Sequence, residues 1–297
     1  MMVGSVIIYI VNKVYYLGVI MGVSNIKEGM IFPTKLCGDV RVVDYQNKYS
    51  IEVEFIKTGY RYFVPASAIR NGYARDLMQP SLYGVGFIGK GRYNSREADG
   101  KSKNRAYCYW QRMIKRCYYQ DSADYPMYGE KGVIVCEEWH NFQNFAKWFY
   151  EQKNHSEKGY HLDKDMLITG NKIYRPEACS IIPERVNLLY VKRESAGLSW
   201  HKEAKKWVTN IEGKAIRSLD ATYLLTLYEN FKRQHIYMVL VEEYSKGNIP
   251  LKMVVNIFNY VREEYKTASH PDVEEVTNET LKMLLALRGG LLRGKHE

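Results

Sequence analysis

The chain reads as a multi-domain α+β protein. Three observations predict it. Short β-branched and aromatic runs fill residues 21–80, helical stripes of large apolar side chains fill 105–153 of a region that runs to 192, and three strand-like runs followed by a long helical pattern fill 196–247. With 297 residues, 46% of them hydrophobic and 26% charged, the chain is long enough for two or three modest domains with cores of their own.

Residues 1–20 form an apolar extension, in which Asn12 and Lys13 split two runs. A membrane-spanning helix needs about 20 apolar residues without such a break, and a signal peptide opens on a basic stretch that is missing here. The β-branched and aromatic content suits a strand pair, and Met21 is an alternative start. Residues 21–80 predict a small β module: VRVVDYQ, SIEVEFI and YRYFVPA are separated by polar turns at Gln46-Asn47-Lys48 and Thr58-Gly59. Such a module is equally a packing scaffold or a binding platform. Residues 81–104 lack apolar periodicity and are rich in Gly, Ser and charge, which predicts a linker. With Lys90, Arg92, Arg96, Lys101, Lys103 and the following Arg105, it could track a phosphate backbone or be solvated chain.

From residue 105 the period becomes helical. Tyr107, Trp110, Met113, Ile114 and Cys117 recur on one face, with Arg112, Lys115 and Arg116 on others. A turn at Tyr128-Gly129, a strand at 133–135 and a second stripe of Trp139, Phe142, Phe145 and Trp148 follow. Both stripes are read as core.

The net charge of +10 favours polyanionic partners, and nucleic acid is the commonest of these in a cell. No helix sets a concentrated Lys/Arg face against an apolar one, so a membrane surface is not expected. Five cysteines, an odd number without any CxxC pair, argue against a disulfide framework and against the paired ligands of zinc ribbons. They read as buried free thiols in a reducing, cytoplasmic compartment.

Six blocks then stand in order: W-x-x-M-x-x-R-C-Y at 110–118, Y-G-x-K-G-V-x-V-C-E-E-W at 128–139, N-F-x-x-W at 144–148, G-Y-x-L-D-K-D at 159–165, G-N-K-x-Y-x-P-E-x-C at 170–179 and P-E-R-V-N-L-L at 183–189. Together they resemble the HNH-endonuclease-like proteins of phages and prophages. The resemblance implies a ββα-metal fold, a β-hairpin and helix gripping one divalent ion. In that fold a histidine ending the first strand is the general base, a neighbouring carboxylate and a helix residue hold the metal, and an asparagine on the second strand orients the base.

By the same resemblance, Asp163 falls at the metal-binding carboxylate, Lys164 at the general base, Ala178 at the orienting asparagine and Asn187 in the final helix. An ammonium with a pKa near 10 holds no lone pair at pH 7 and takes no proton. His161 is offset from Lys164 by three residues, and an odd offset on a strand reverses the face. The expectation is therefore a degenerate site, with no catalytic residue and no cofactor; a divalent metal on Asp163 is expected only if the site is retained.

A second resemblance follows. Strands are predicted at 198–202, 206–211 and 214–219 and a helix at 222–244, with the signature G-x-S-W-x-K-x-x-x-K-W at 197–207. This is similar to the AP2-type DNA-binding domain, whose sheet lies in the major groove and reads it with exposed basic and aromatic residues. The matching candidates are Trp200, Lys202, Lys205, Lys206, Trp207 and Arg217. The alternative has both tryptophans packed on the helix and the lysines merely solvated.

In 248–297, the segments 249–265 and 276–292 each carry an apolar stripe. One helix suffices to cover a three-stranded sheet, so these stripes are expected to pair across a homo-oligomer, or else to cover the N-terminal β module. Three functions follow. The first is a phage-type non-catalytic protein that binds DNA. The second is an anti-defence protein that binds a host nuclease defence complex such as Gabija; the tyrosine-rich composition (26 Tyr) supports it. The third is an active, metal-dependent homing-type endonuclease.

Overall fold

A computed structural model describes residues 25–190, 197–211 and 213–264, together with the antiparallel strand pair β1 (Tyr9–Ile10) and β2 (Lys13–Val14). The fold is mixed α+β, with several small sheets and six α-helices among the described residues. The chain divides into two compact units, Met1–Arg92 and Tyr93–Glu297.

In the first unit, β3 (Ile31–Pro33), β4 (Asp39–Asn47), β5 (Ser50–Phe55) and β6 (Arg61–Val64) form an antiparallel meander, followed by the short helix α1 (Ala66–Arg70). Period-two alternation builds it. Ile51, Val53 and Phe55 turn inward onto Val40, Val42, Val64 and Ile69, while Glu52 and Glu54 turn outward. On the outer face Glu54 receives Arg61 and Arg41. The register shifts between Val42 and Asp44, a bulge that bends the longest strand.

The second unit begins inside the expected linker. Tyr93 is tied to Gln143 through both its N–H and its carbonyl, at 2.9 Å each. Several of the linker's cations are engaged within the chain: Arg96 donates to the carbonyls of Gly100 and Lys101, Lys103 to Gln111, and Arg105 to Ser156 and Glu157. The stretch is thus shaped by its own hydrogen bonds.

Helix α2 (Arg105–Tyr118) starts where the Asn104 side chain accepts the Tyr107 N–H. Its buried stripe is Ala106, Trp110, Met113, Ile114 and Cys117, and the Trp110 indole donates to the Trp139 carbonyl at 2.7 Å. Strand β7 (Ile134–Val135) leads to α3 (Phe142–Glu151), capped by Asn141, which buries Phe142, Phe145 and Phe149. Gly129 is required where it stands: a Cβ there would lie 2.3 Å from the Cys117 carbonyl and 2.2 Å from the Tyr125 ring, so only glycine lets this turn close onto the end of α2.

Next come β8 (Tyr160–Asp163), β9 (Ile173–Tyr174), β10 (Ser180–Pro183) and the one-turn helix α4 (Glu184–Asn187). β8 pairs antiparallel with β10, and β7 pairs parallel with β9. The sheet β11 (Leu198–His201), β12 (Lys206–Ile211) and β13 (Lys214–Ser218) is an antiparallel meander, close to the predicted strands. Helix α5 (Ala221–Ser245), capped by Asp220, covers it and leads to α6 (Leu251–Glu264).

The apolar stripe at 249–265 finds its partner in the chain itself. Ile249, Met253, Val254, Ile257, Phe258 and Val261 pack with Ile236, Tyr237 and Leu240 of α5, and with Met166, Ile182 and Val186 of the β8–β10 region. That stripe is thus covered within the chain, by α5 and the β8–β10 region. The reason is length: a 25-residue helix runs about 37 Å, roughly twice a six-residue strand, so the second half of α5 outruns its sheet and offers a face of its own. The segment 276–292 lies outside the described residues. Among the described residues no helix is long and apolar enough to cross a membrane, and all five cysteines are free thiols.

Candidate functional site

Two places bring chemistry-bearing side chains together. The first is the end of β8. Its outer residues Tyr160 and His161 are half-buried and Leu162 and Asp163 are buried, because the hairpin with β10 closes over them. Asp163 is only 6% exposed. Its Oδ2 accepts the backbone N–H groups of Asp165 (3.1 Å) and Met166 (2.8 Å), which turns the chain sharply away from the strand. Burial, and secondly the Asp165 charge, push its pKa up to about 7.

Lys164 is equally enclosed. Its ammonium donates to Asp165 Oδ2 at 2.8 Å and to the Asn171 carbonyl at 3.1 Å. Asn171 returns the contact, its Nδ2 donating to the carbonyls of Lys164 (2.6 Å) and Ile173 (2.8 Å). From α6, Asn256 Nδ2 donates to the carbonyls of Leu167 (2.7 Å) and Met166 (3.3 Å). Lys164 thus clamps a closed turn with its donors.

Ala178 lies just before β10, fully buried and without polar chemistry. Asn187 ends α4, with its Nδ2 3.5 Å from His161 Nδ1, while Glu184 Oε1 lies 3.8 Å from His161 Nε2. His161 lines the same cleft as Asp163, Lys164 and Asn187. The alternation argument fails because β8 stops at Asp163, so Lys164 no longer obeys the strand's period.

Part of the donor capacity that a divalent ion would need here is already engaged. A catalytic metal needs several convergent oxygen or nitrogen donors. Here the Asp163 Oδ2 already serves two N–H groups, and among the described residues no three His, Cys, Asp or Glu side chains converge as a ligand set.

Across from β8 lies α2, and between them is a cleft of about 560 Å³. Arg112, Lys115 and Arg116 line it from α2. The Arg116 guanidinium lies between the rings of Tyr128 and Tyr174, at 4.9 and 5.1 Å from their centroids. Sequence reasoning noted these cations only as lying off the core stripe. Their i, i+3, i+4 spacing was the available signal for a shared face; nothing local showed what stood opposite.

The second place is the β11–β12–β13 sheet. Trp200 pairs in register with Trp207, ring centroids 5.3 Å apart, and Val208 pairs with Arg217. Paired residues share a face, so Trp200, Trp207 and the buried Thr209 lie on one side, and Lys206, Val208 and Arg217 on the other. The six candidates therefore do not form one exposed face, since successive residues of a strand, such as Lys206 and Trp207, point oppositely. Lys202 and Lys205 sit in the turn between β11 and β12, exposed like Lys206. Trp200 remains 47% exposed.

Comparison of the chain with protein-family models, curated proteins and solved structures finds no match.

Proposed function

We propose that the chain is a non-catalytic, phage-type DNA-binding protein, built on a nuclease-like ββα scaffold followed by an AP2-like sheet. The observation that carries this reading is the β11–β12 turn, where Lys202, Lys205 and Lys206 are exposed beside the half-exposed Trp200. Three exposed ammonium groups, two in the turn and one on the first residue of β12, can neutralise neighbouring phosphates and release their counterions. Arg217, exposed on the Lys206 face, adds a fourth cation within the same sheet. The absence of catalysis is supported by Lys164, whose ammonium is engaged by Asp165 and Asn171. The order β8, β10, α4 supports the scaffold, with Asp163 closing the first strand and Asn187 the helix.

The test is duplex binding measured across a salt series. Log affinity is expected to fall linearly with log salt, and Lys202→Ala/Lys205→Ala/Lys206→Ala to flatten the slope by roughly 2–3, about 0.9 per lost phosphate contact. An unchanged slope would remove the turn from the interface.

One observation favours a second reading: His161, flanked by Asn187 and Glu184, stands in the cleft as an oriented imidazole suited to general-base work. Supercoiled plasmid incubated with Mg²⁺, Mn²⁺ or Ni²⁺ separates the two. Intact plasmid is expected; nicking lost in His161→Ala would replace the non-catalytic reading.

A further inference from the structure

The cleft between α2 and β8 takes no part in the duplex contacts assigned to the β11–β12 turn. We propose that it holds one unpaired nucleotide of a single-stranded nucleic acid, with the phosphate on Arg112, Lys115 and Arg116 and the base among the tyrosine rings of the wall.

Four observations carry this. First, the three cations follow one another at i, i+3 and i+4 on α2 and face the same cleft, with Arg112 and Lys115 exposed. Second, Arg116 is pre-oriented between Tyr128 and Tyr174, and its Nε–H is buried without a hydrogen-bond partner. The residue lines the cleft, so its guanidinium is a preset cation for an anionic oxygen bound there. Third, the opposite wall does not neutralise them: Asp165 is paired with Lys164, and Asp163 Oδ2 accepts two backbone N–H groups, which leaves Asp124 as the remaining carboxylate of the lining. Fourth, Tyr109, Tyr128 and Tyr160 add aromatic wall, and stacking on such rings beside a basic track is how single strands are held.

The size and shape choose an unpaired nucleotide over a duplex. About 560 Å³ is the scale of a small-ligand site. The rings lie inside a two-walled cleft, which a base can reach only when it has left its stack.

The experiment uses the full chain and fluorescence anisotropy with a short labelled single strand and the same sequence as a blunt duplex. The wild type is expected to bind the single strand saturably. Arg112→Ala/Lys115→Ala is expected to weaken that binding about tenfold or more, with the salt slope falling by about 0.7 per lost phosphate contact, and to leave the duplex isotherm unchanged. Lys202→Ala/Lys205→Ala/Lys206→Ala is expected to do the reverse, so the duplex reading and the cleft proposal fail separately. Both α2 positions are exposed, and an unchanged thermal melt checks that the variant folds. A mononucleotide is expected to displace the single strand better than inorganic phosphate or phosphotyrosine does. Equal loss for both nucleic acids, no loss for the single strand, absence of single-strand binding in the wild type, or displacement by phosphotyrosine and not by the mononucleotide would each overturn the proposal.

Discussion

At the turn after β8, Lys164 is buried and its ammonium is bonded to Asp165 and to the Asn171 carbonyl. At the turn between β11 and β12, Lys202, Lys205 and Lys206 all face solvent. The same residue type does opposite work in the two turns. Around Lys164, hydrogen bonds accepted by Asp163 and donated by Asn171 and Asn256 close a loop of irregular backbone whose polar groups could not otherwise be buried. Around Lys205 the charge has no such internal task, and the backbone even accepts a left-handed φ of 47° at a non-glycine residue. A buried, saturated lysine is architecture; a cluster of solvated ones is available to a partner.

The comparison can be broken most severely at Asp163. Removing its carboxyl in Asp163→Ala orphans the N–H groups of Asp165 and Met166, each costing about 1–3 kcal/mol. A loss of about 2–5 kcal/mol is expected in chemical denaturation at pH 5. A loss below about 1 kcal/mol would mean that the turn does not depend on these bonds.

The next effect concerns pH. An aspartate whose pKa is about 7 in the fold and about 4 in the unfolded chain keeps its proton in the fold over a range where the unfolded chain has lost it. Its contribution to stability is complete below about pH 4, declines as pH rises, and is gone above about pH 7. The size is on the order of 4 kcal/mol. Asp163→Asn retains an acceptor oxygen without a charge. It is expected to match the wild type at pH 4, exceed it at pH 8, and lose most of the slope between them. Parallel stability curves for the two proteins would contradict this.

At the exposed turn the expectations invert. The triple alanine variant of Lys202, Lys205 and Lys206 is expected to change stability by less than about 0.5 kcal/mol while weakening duplex binding. A large drop in melting temperature would show these lysines to be structural after all. The smallest effect is at Lys205→Gly, which relieves the positive φ and gains up to about 1 kcal/mol against the entropy glycine adds to the unfolded chain. Destabilisation there would show that the Lys205 stem packs on the turn.

Much of the fold was legible before any coordinates. Of the stripe Tyr107, Trp110, Met113, Ile114 and Cys117, all but the half-buried Tyr107 are buried as the spacing implied, and β12 runs over residues 206–211 as its pattern implied. The faces of Lys206 and Trp207 were legible too, since adjacent strand residues always diverge; grouping them as one surface overlooked that rule. His161 was misplaced for a different reason. The end of β8 is set by the Asp163 side chain capturing two N–H groups, a choice that depends on how deeply the hairpin is covered.

Local periodicity, turn residues and the order of charged and apolar positions were enough to write down most of the elements. They act over a few neighbours, and a few neighbours suffice to choose helix or strand. Which cations are engaged and which are free was settled by partners far along the chain: Asn256 of α6 on the loop at Met166 and Leu167, α5 beneath α6, and α2 across from β8. The reason is that desolvation and hydrogen-bond satisfaction belong to a place in space. Chains of identical local pattern reach different places once their helices outrun their sheets.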